Sequence, residues 1–549
     1  MTRIAHPLCL GLLLASMATS ALAQVTNERL LRAGDEPQNW LTYSGTYLSH
    51  RYSQLKQIDP SNAKNLELKW VFQARSLEAF AATPLVVDGV MYVTQAPNDV
   101  VALDAKTGIV YWIYQHRLAP EARPCCGAVN RGLAILGHTL FMATIDARLV
   151  ALDARDGQVL WNHEVAKPGA GYSMTLAPLI VKDKVVVGVS GGEFGIRGFV
   201  AAYEPVTGRE VWRFTTIPGP GEPGHETWSG DSWKTGGGPV WLTGSYDPTL
   251  NLLYWGVGNP GPDFNAAQRE GKNLYSDSVV ALDADTGKLR WYFQFSPNDP
   301  YDFDAVQIPV LVDTNWRGSP RKLLLWANRN GFFYVLDRVT GRFLSGYPFV
   351  KVNWASGLTP DGTPIQTKQL PGQPTYPGVQ GGTNWYSPSY SPRTGLFYLS
   401  VWENYGGIFY AIDSQHQEGR VFVGGRLEAP TGPAAPMVPF SRKTPINNWT
   451  SDAGTGAVIA LDLHTGERKW TFKMTDVTTS GIVTTASDLL FTGTREGYFH
   501  ALDARTGDVL WKTMLGGAII QGPMTYQVDG TQYVAVASGN GLFVFALRD

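Results

Sequence analysis

One pattern of apolar and polar positions returns seven times along the chain. A short apolar strand leads into a polar turn carrying Asp or Glu and then Gly, and a second strand follows that usually ends on Trp. The copies read ALDAKTGIVYW from Ala102, ALDARDGQVLW from Ala151, AAYEPVTGREVW from Ala201 and ALDADTGKLRW from Ala281. VLDRVTGRFL from Val335, ALDLHTGERKW from Ala460 and ALDARTGDVLW from Ala501 complete the set. Alternating strands around a Gly turn predict a β-hairpin, the glycine supplying a positive φ. Leu103 to Leu152 is 49 residues, Leu152 to Tyr203 is 51, Leu282 to Leu336 is 54 and Leu461 to Leu502 is 41. A four-stranded propeller blade takes roughly 40–50 residues.

The gap of 125 residues between Leu336 and Leu461 leaves room for a degenerate copy, and SPSYSPRTGLFYLSVW, from Ser387 to Trp402, is assigned to it. The prediction is an all-β fold: an eight-bladed propeller of four-stranded antiparallel blades, made of the seven copies plus this one. NLELKWVF around Trp70 resembles the Trp-bearing strand of a copy that lacks its first half. Strands from both chain ends are therefore expected to share a blade and leave no open edge. The Trp and Gly-turn pairs read as packing between neighbouring blades.

Composition fits this reading, with 44% apolar residues, 60 Gly and 35 Pro in 549 residues. A net charge of −2 offers no electrostatic case for nucleic acid, and no Lys/Arg run suggests an anionic membrane surface. Arg3, the apolar run Leu8 to Ala18 and the small-residue site Ala21-Leu22-Ala23 read as a signal peptide over 1–23. That leaves 24–549 as a single domain, expected in the periplasm without a membrane anchor. Three stretches break the repeat spacing: Pro218 to Pro239, Pro348 to Trp385 and Gln415 to Asp452. Long irregular insertions in a tight array are usually functional, so a lid over the propeller axis is sought there, and the last two are expected to line the substrate pocket.

Cys125 and Cys126 are adjacent, in RPCCGAVNRG. They are either two free thiols or a strained ring; export and the lack of other cysteine partners after cleavage favour the ring. A second group supplies oxygen ligands: Glu193 in SGGEFGIRG, Asn259 in WGVGNPGPD, and Asp302 and Asp304 in PYDFDAV. Carboxylates with an amide oxygen suit a hard cation such as calcium. Glycines beside Glu193 and Asn259 permit close approach of a flat ligand. Arg131 follows the cysteine pair, Arg329 lies in WANRNG and Trp241 follows three glycines; Arg329 suits anionic or quinone oxygens and Trp241 a planar ring. No CxxCH, GxSxG or phosphate-loop pattern is present. A non-catalytic envelope scaffold is the competing class, but a scaffold needs neither the adjacent cysteines nor the acids.

With these motifs in hand, above all CCGAVNRG, SGGEFGIRG, GDSWKTGGG, WGVGNP and YDFDAV, the chain from about Trp40 to Leu547 resembles the pyrroloquinoline quinone (PQQ)-dependent alcohol dehydrogenases. The resemblance implies an eight-bladed propeller with PQQ on its axis, the Cys125–Cys126 disulfide on one face of the cofactor and Trp241 on the other. It implies PQQ contacts from Arg131, Thr175, Ser190, Gly191, Gly192, Arg329, Asn384 and Trp385. Glu193, Asn259, Asp302 and Asp304 become the metal set for one calcium or lanthanide ion per subunit, Asp302 the catalytic base and Arg329 its partner beside the quinone oxygens. The implied reaction oxidises an alcohol or sugar hydroxyl to an aldehyde or ketone by hydride transfer to PQQ, with electrons passing to a separate acceptor such as a soluble cytochrome c. Two departures stand out. Ala81 occupies a position where members of that family commonly carry Glu, with Glu78 nearby, and Asp304 adds a carboxylate that lanthanide-dependent members have.

Overall fold

A computed structural model describes residues 24–78, 80–370, 372–428 and 454–548; the expected signal peptide, 1–23, lies outside them. Eight blades form the molecule: seven are four-stranded antiparallel sheets, and the one at 482–514 adds Tyr52–Ser53 as a fifth strand, parallel to Ile482–Thr485. In chain order, blades one to five span 85–114, 133–164, 179–215, 245–294 and 310–348, blade six 389–473 and blade seven 482–514. Blade eight joins Leu66–Gln73 to the three strands of 524–547, with Leu66–Gln73 antiparallel to Gly541–Leu547. Closure by both chain ends is thus as expected.

The origin of the eighth blade differs from the expectation. The stretch 387–402 is no blade of its own: it supplies the first two strands of blade six, whose last two are the copy at Ala460. An excursion between the second and third strands separates the halves, which is why the leucine spacing there is so long. The eighth blade is the closing one.

The repeat pattern has a direct physical basis. In blade one the Asp104 carboxylate accepts the backbone N–H groups of Lys106 and Thr107 at 2.9 and 2.8 Å, tying the turn. Gly108 then takes φ +75°, and a Cβ on it would come within 2.6 Å of the Trp70 ring from blade eight. The turn therefore needs glycine both for its backbone and for the neighbour's tryptophan. Trp112 meets Gly157 of blade two in the same way and donates its Nε1–H to the Ala154 carbonyl at 3.2 Å. Trp161, Trp212, Trp291 and Trp470 each sit on the turn glycine of the next blade. Blade five, whose copy lacks Trp, uses Tyr347 against Gly466. Trp511 meets Phe545 at 5.4 Å to complete the circuit.

Successive strands run antiparallel, so the loop entering a blade's first strand and the loop leaving its second open on the same face. Every predicted site residue lies on one of these loops. The first strand of each sheet lies innermost, and a cluster of Tyr43, Ala177, Leu242, Val306 and Ile308, drawn from blade entries, forms an apolar floor beneath Trp241 and Trp385. No helix among the described residues is long and apolar enough to cross a membrane.

Candidate active site

Cys125 and Cys126 are joined in a disulfide between adjacent residues, on the loop entering blade two. Cys126 is exposed and its Sγ lies 3.4 Å from Glu193 Oε1. Arg131, on the same loop, is 5% exposed. Its guanidinium lies 5.0 Å from the Trp241 ring and 4.9 Å from the Trp385 ring and donates to the Thr175 carbonyl at 3.2 Å. Among the described residues no carboxylate pairs with it and its buried Nε has no partner, and burial brings its pKa down to about 10. Thr175 Oγ1 lies 3.2 Å from Ser190 Oγ and donates to the Trp241 carbonyl at 3.1 Å. Asn384 anchors the last member of this set, accepting the Trp385 N–H through Oδ1.

Gly191 and Gly192 are required where they stand. Gly191 has φ +116°, and a Cβ there would fall 2.1 Å from the Gly171 carbonyl; one on Gly192 would meet Pro239 at 2.9 Å and Asn259 Oδ1 at 3.2 Å. The short 3₁₀ turn Gly192–Phe194 thereby brings Glu193 beside Asn259.

The acids converge. Asn259 N donates to Asp304 Oδ1 at 2.8 Å, and Trp241 Nε1 donates to Asp304 Oδ2 at 3.1 Å. Arg329 bridges the pair, with Nη1 2.7 Å from Asp304 Oδ2 and Nη2 3.0 Å from Asp302 Oδ2. Asp302 adopts the left-handed conformation, φ +59°, which costs on the order of 1 kcal/mol for a non-glycine residue. Asp299 holds it there by accepting the N–H groups of Tyr301 and Phe303 at 2.9 and 2.6 Å.

The sequence reading did not single out Asp263, Asp277, Asp299 or Arg269, which complete the cluster. Six carboxyls, Asp263, Asp277, Asp299 and Asp304 buried and Glu193 and Asp302 half-buried, gather around two buried guanidinium groups, Arg269 and Arg329. Burial, then repulsion among Asp304, Glu193 and Asp299, holds Asp302 well above the usual carboxylate range despite Arg329. Burial raises Glu193 to about 7 and Asp299 to about 6. Asn259 Nδ2, Asp263 Oδ1 and both Asp277 oxygens are buried without a hydrogen-bond partner among the described residues. Sequence spacing offered only a weak signal for these groups: Asp263 ends the WGVGNPGPD motif, and Asp299 precedes Asp302 by three. Ala81, 5% exposed on the entry to blade one, has no polar side-chain atom to offer.

The excursion within blade six crosses to blades three and four. Its hairpin pairs Ile408–Ala411 with Gly425–Glu428. Phe422 N donates to the Glu193 carbonyl at 2.6 Å, Phe264 N to the Val423 carbonyl at 2.9 Å and Gln268 Nε2 to the Ser414 carbonyl at 2.9 Å. The remainder, 429–453, lies outside the described residues. The Pro348–Trp385 insertion reaches the acids differently: Val379 O accepts Arg329 Nε at 2.7 Å.

Known proteins resemble this chain over nearly its whole length. Residues 40–356 match the family model described as glucose/ethanol/alcohol dehydrogenase, beta-propeller domain. The quinoprotein alcohol dehydrogenase PedH of Pseudomonas putida is 38% identical over 96% of this chain and 90% of its own length. The chain belongs to the PQQ-dependent quinoprotein alcohol dehydrogenases. A lanthanide-dependent methanol dehydrogenase of Methylacidiphilum fumariolicum is 39% identical, covering 94% of this chain and 87% of that one. Among solved structures, a europium-containing methanol dehydrogenase superposes with a TM-score of 0.86 at 35% identity, over 95% of this chain and all of the other. Residues 454–549 also match the model described as outer membrane protein assembly factor BamB, a stretch of repeat strands that contains none of the predicted site residues.

Proposed function

We propose that this quinoprotein oxidises an alcohol or sugar hydroxyl to the aldehyde or ketone, with Asp302 as the base. The observation that carries the reading is that Arg131, a buried cation with no carboxylate partner among the described residues, lies 5.0 Å from the Trp241 ring whose Nε1 donates to Asp304 of the acid cluster. The residues fit the cofactors. Arg131 with its orphaned Nε, Thr175 and Ser190 suit the anionic oxygens of PQQ. Gly191 and Gly192 keep the backbone close, and Trp241, Trp385 and the disulfide offer flat or polarisable surfaces. Glu193, Asn259, Asp302 and Asp304 are hard oxygen donors suited to calcium or a lanthanide, and their excess negative charge calls for a cation.

When bound, PQQ supplies the hydride acceptor and the ion a Lewis acid. Asp302 takes the proton of the substrate hydroxyl through a carboxylate oxygen while Arg329 fixes its other oxygen. Arg329, held at Nε by Val379, keeps Asp302 and Asp304 at a set spacing. Trp241 steadies Asp304 from the opposite side. The 408–428 excursion shields the Glu193 turn from water, which strengthens the electrostatics within. We assign 1–23 to a cleaved export signal, 24–549 to one periplasmic domain without a membrane anchor, and the onward electrons to a separate acceptor such as a soluble cytochrome c.

The test is reconstitution with PQQ and calcium or lanthanum, followed by alcohol-dependent reduction of an artificial dye. Cofactor-dependent turnover is expected with either an alcohol or a sugar. Absence of both cofactor binding and dye reduction would refute the reading.

A further inference from the structure

Asp263 has no part in the chemistry described so far. It lies four residues beyond Asn259, is 2% exposed, and its Oδ1 is buried with no hydrogen-bond partner among the described residues. Its backbone is firmly held: Arg269 donates Nε to the Pro262 carbonyl and Nη2 to the Asp263 carbonyl, each at 3.0 Å, and Phe264 N donates to Val423 of the covering excursion. A Cβ on Gly424 of that excursion would come within 2.7 Å of Pro262. Asp263 therefore stands between the Asn259 loop and the cover. Arg269 Nη2 donates to the Asp299 carbonyl as well as to that of Asp263, which sets Asp263 beside the loop that frames Asp302. The charges acting on its carboxyl are those of Asp302, Glu193 and Asp304, opposed by Arg269.

Burying a carboxyl oxygen without a partner is unfavourable, and more so when it is charged. The nearby cations are engaged elsewhere: Arg329 pairs with Asp302 and Asp304, and the side-chain donors of Arg269 go to backbone carbonyls and Asn273. No described residue supplies a donor to Asp263 Oδ1. A second substrate hydroxyl fits, because it donates to a carboxylate and also accepts from a protonated carboxyl.

We infer that Asp263 binds a second hydroxyl of the substrate, so that the site selects vicinal diols, triols and sugar alcohols over monohydric alcohols of the same length. This rests on the proposed alcohol oxidation and names its substrate class. The hydroxyl at Asp263 is not oxidised; it fixes which carbon presents its hydroxyl to Asp302. A pocket built to bond a hydroxyl rejects an analogue lacking it, because its own buried polar group is left unpaired.

The experiment compares glycerol with 1-propanol, which share a three-carbon chain, on the protein loaded with PQQ and metal. The wild type is expected to favour glycerol in kcat/KM. In Asp263→Leu the glycerol to 1-propanol ratio is expected to fall about tenfold or more, with Asp263→Asn, which keeps an acceptor oxygen, falling less. Metal titration of the same variants separates the other role open to this carboxyl. An unchanged ratio, or a weakened metal affinity with the ratio unchanged, overturns the inference. If the wild type oxidises neither alcohol nor any sugar, the enzymatic reading itself fails, which is a different result. If Asp263→Leu does not fold, the ratio in Asp263→Asn and in Asp263→Ser decides.

Discussion

Asp302 combines three properties at one position: a left-handed backbone, a carboxyl whose pKa burial and repulsion hold high, and a salt bridge to Arg329. Two of these suit a group that takes a proton and must be pointed at it. Replacing Asp302 with Ala is expected to lower turnover about 100-fold or more while PQQ still binds, measured by dye-linked kinetics beside cofactor titration. Asp304 has a separate task, since it accepts from Asn259 N, Trp241 Nε1 and Arg329 at once. Asp304→Ala is expected to impair lanthanide-supported activity more than calcium-supported activity, and equal effects with both ions would count against its place in the metal set. Arg131 is a buried cation with no carboxylate partner among the described residues. Arg131→Leu is expected to weaken PQQ binding about tenfold or more, read by fluorescence titration. Asp302, Asp304 and Arg131 were legible in the sequence because each sits in a distinctive motif. Asp263 and Asp277 were not, because a single acid on a loop looks like any solvated acid until burial and the missing partner are seen.

Loops and hairpins set these side chains. The backbone N–H groups of Tyr301 and Phe303 donate to the Asp299 carboxylate and frame Asp302, so Asp299 is a positioning residue. Asp299→Ala is expected to cost about tenfold in kcat with metal and PQQ affinity retained, and Asn, which keeps one acceptor, should restore part of it; no rescue would point to a purely structural loss. The hairpin repeat was readable because its Asp turn, positive-φ Gly and Trp serve local needs that recur in every blade. Trp112→Ala removes a ring lodged on Gly157 and a bond to Ala154, and is expected to destabilise the fold by about 3 kcal/mol in denaturant melts. The excursion that divides blade six was not readable: its ends pair across 50 residues, and nothing local announces that 387–402 and 455–473 share a sheet.

The closed ring also depends on its N-terminal segment. Arg51, fully buried, donates to the carbonyls of Tyr43, Ile482, Gly522 and Pro523, binding blades seven and eight to the axis. His50 Nε2 lies 2.6 Å from the Leu311 carbonyl, linking the segment to blade five. Burial pushes the His50 pKa down to about 4, below its unfolded value of about 6.5. The unfolded chain then binds more protons between those values, so stability present above pH 6.5 falls as the pH drops toward 4, at up to about 1.4 kcal/mol per pH unit for this group. His500, also brought to about 4 by burial, acts in the same sense. Glu193 and Asp299, raised to about 7 and about 6, act in the opposite sense, so the slope belongs to the difference between wild type and His50→Gln in thermal melts across pH 4–7.

Asp302 as the base for proton removal with hydride transfer is what the whole site is built around. The most direct check is a single anaerobic turnover of PQQ- and metal-loaded protein, mixing wild type and Asp302→Ala with protiated and carbinol-deuterated substrate while the cofactor spectrum is followed. The account predicts one equivalent of cofactor reduced in the wild type, more slowly with deuterium, and almost none in the variant although its PQQ is bound. Equal reduction rates in both proteins, or a loaded wild type that no alcohol or sugar reduces, would contradict it.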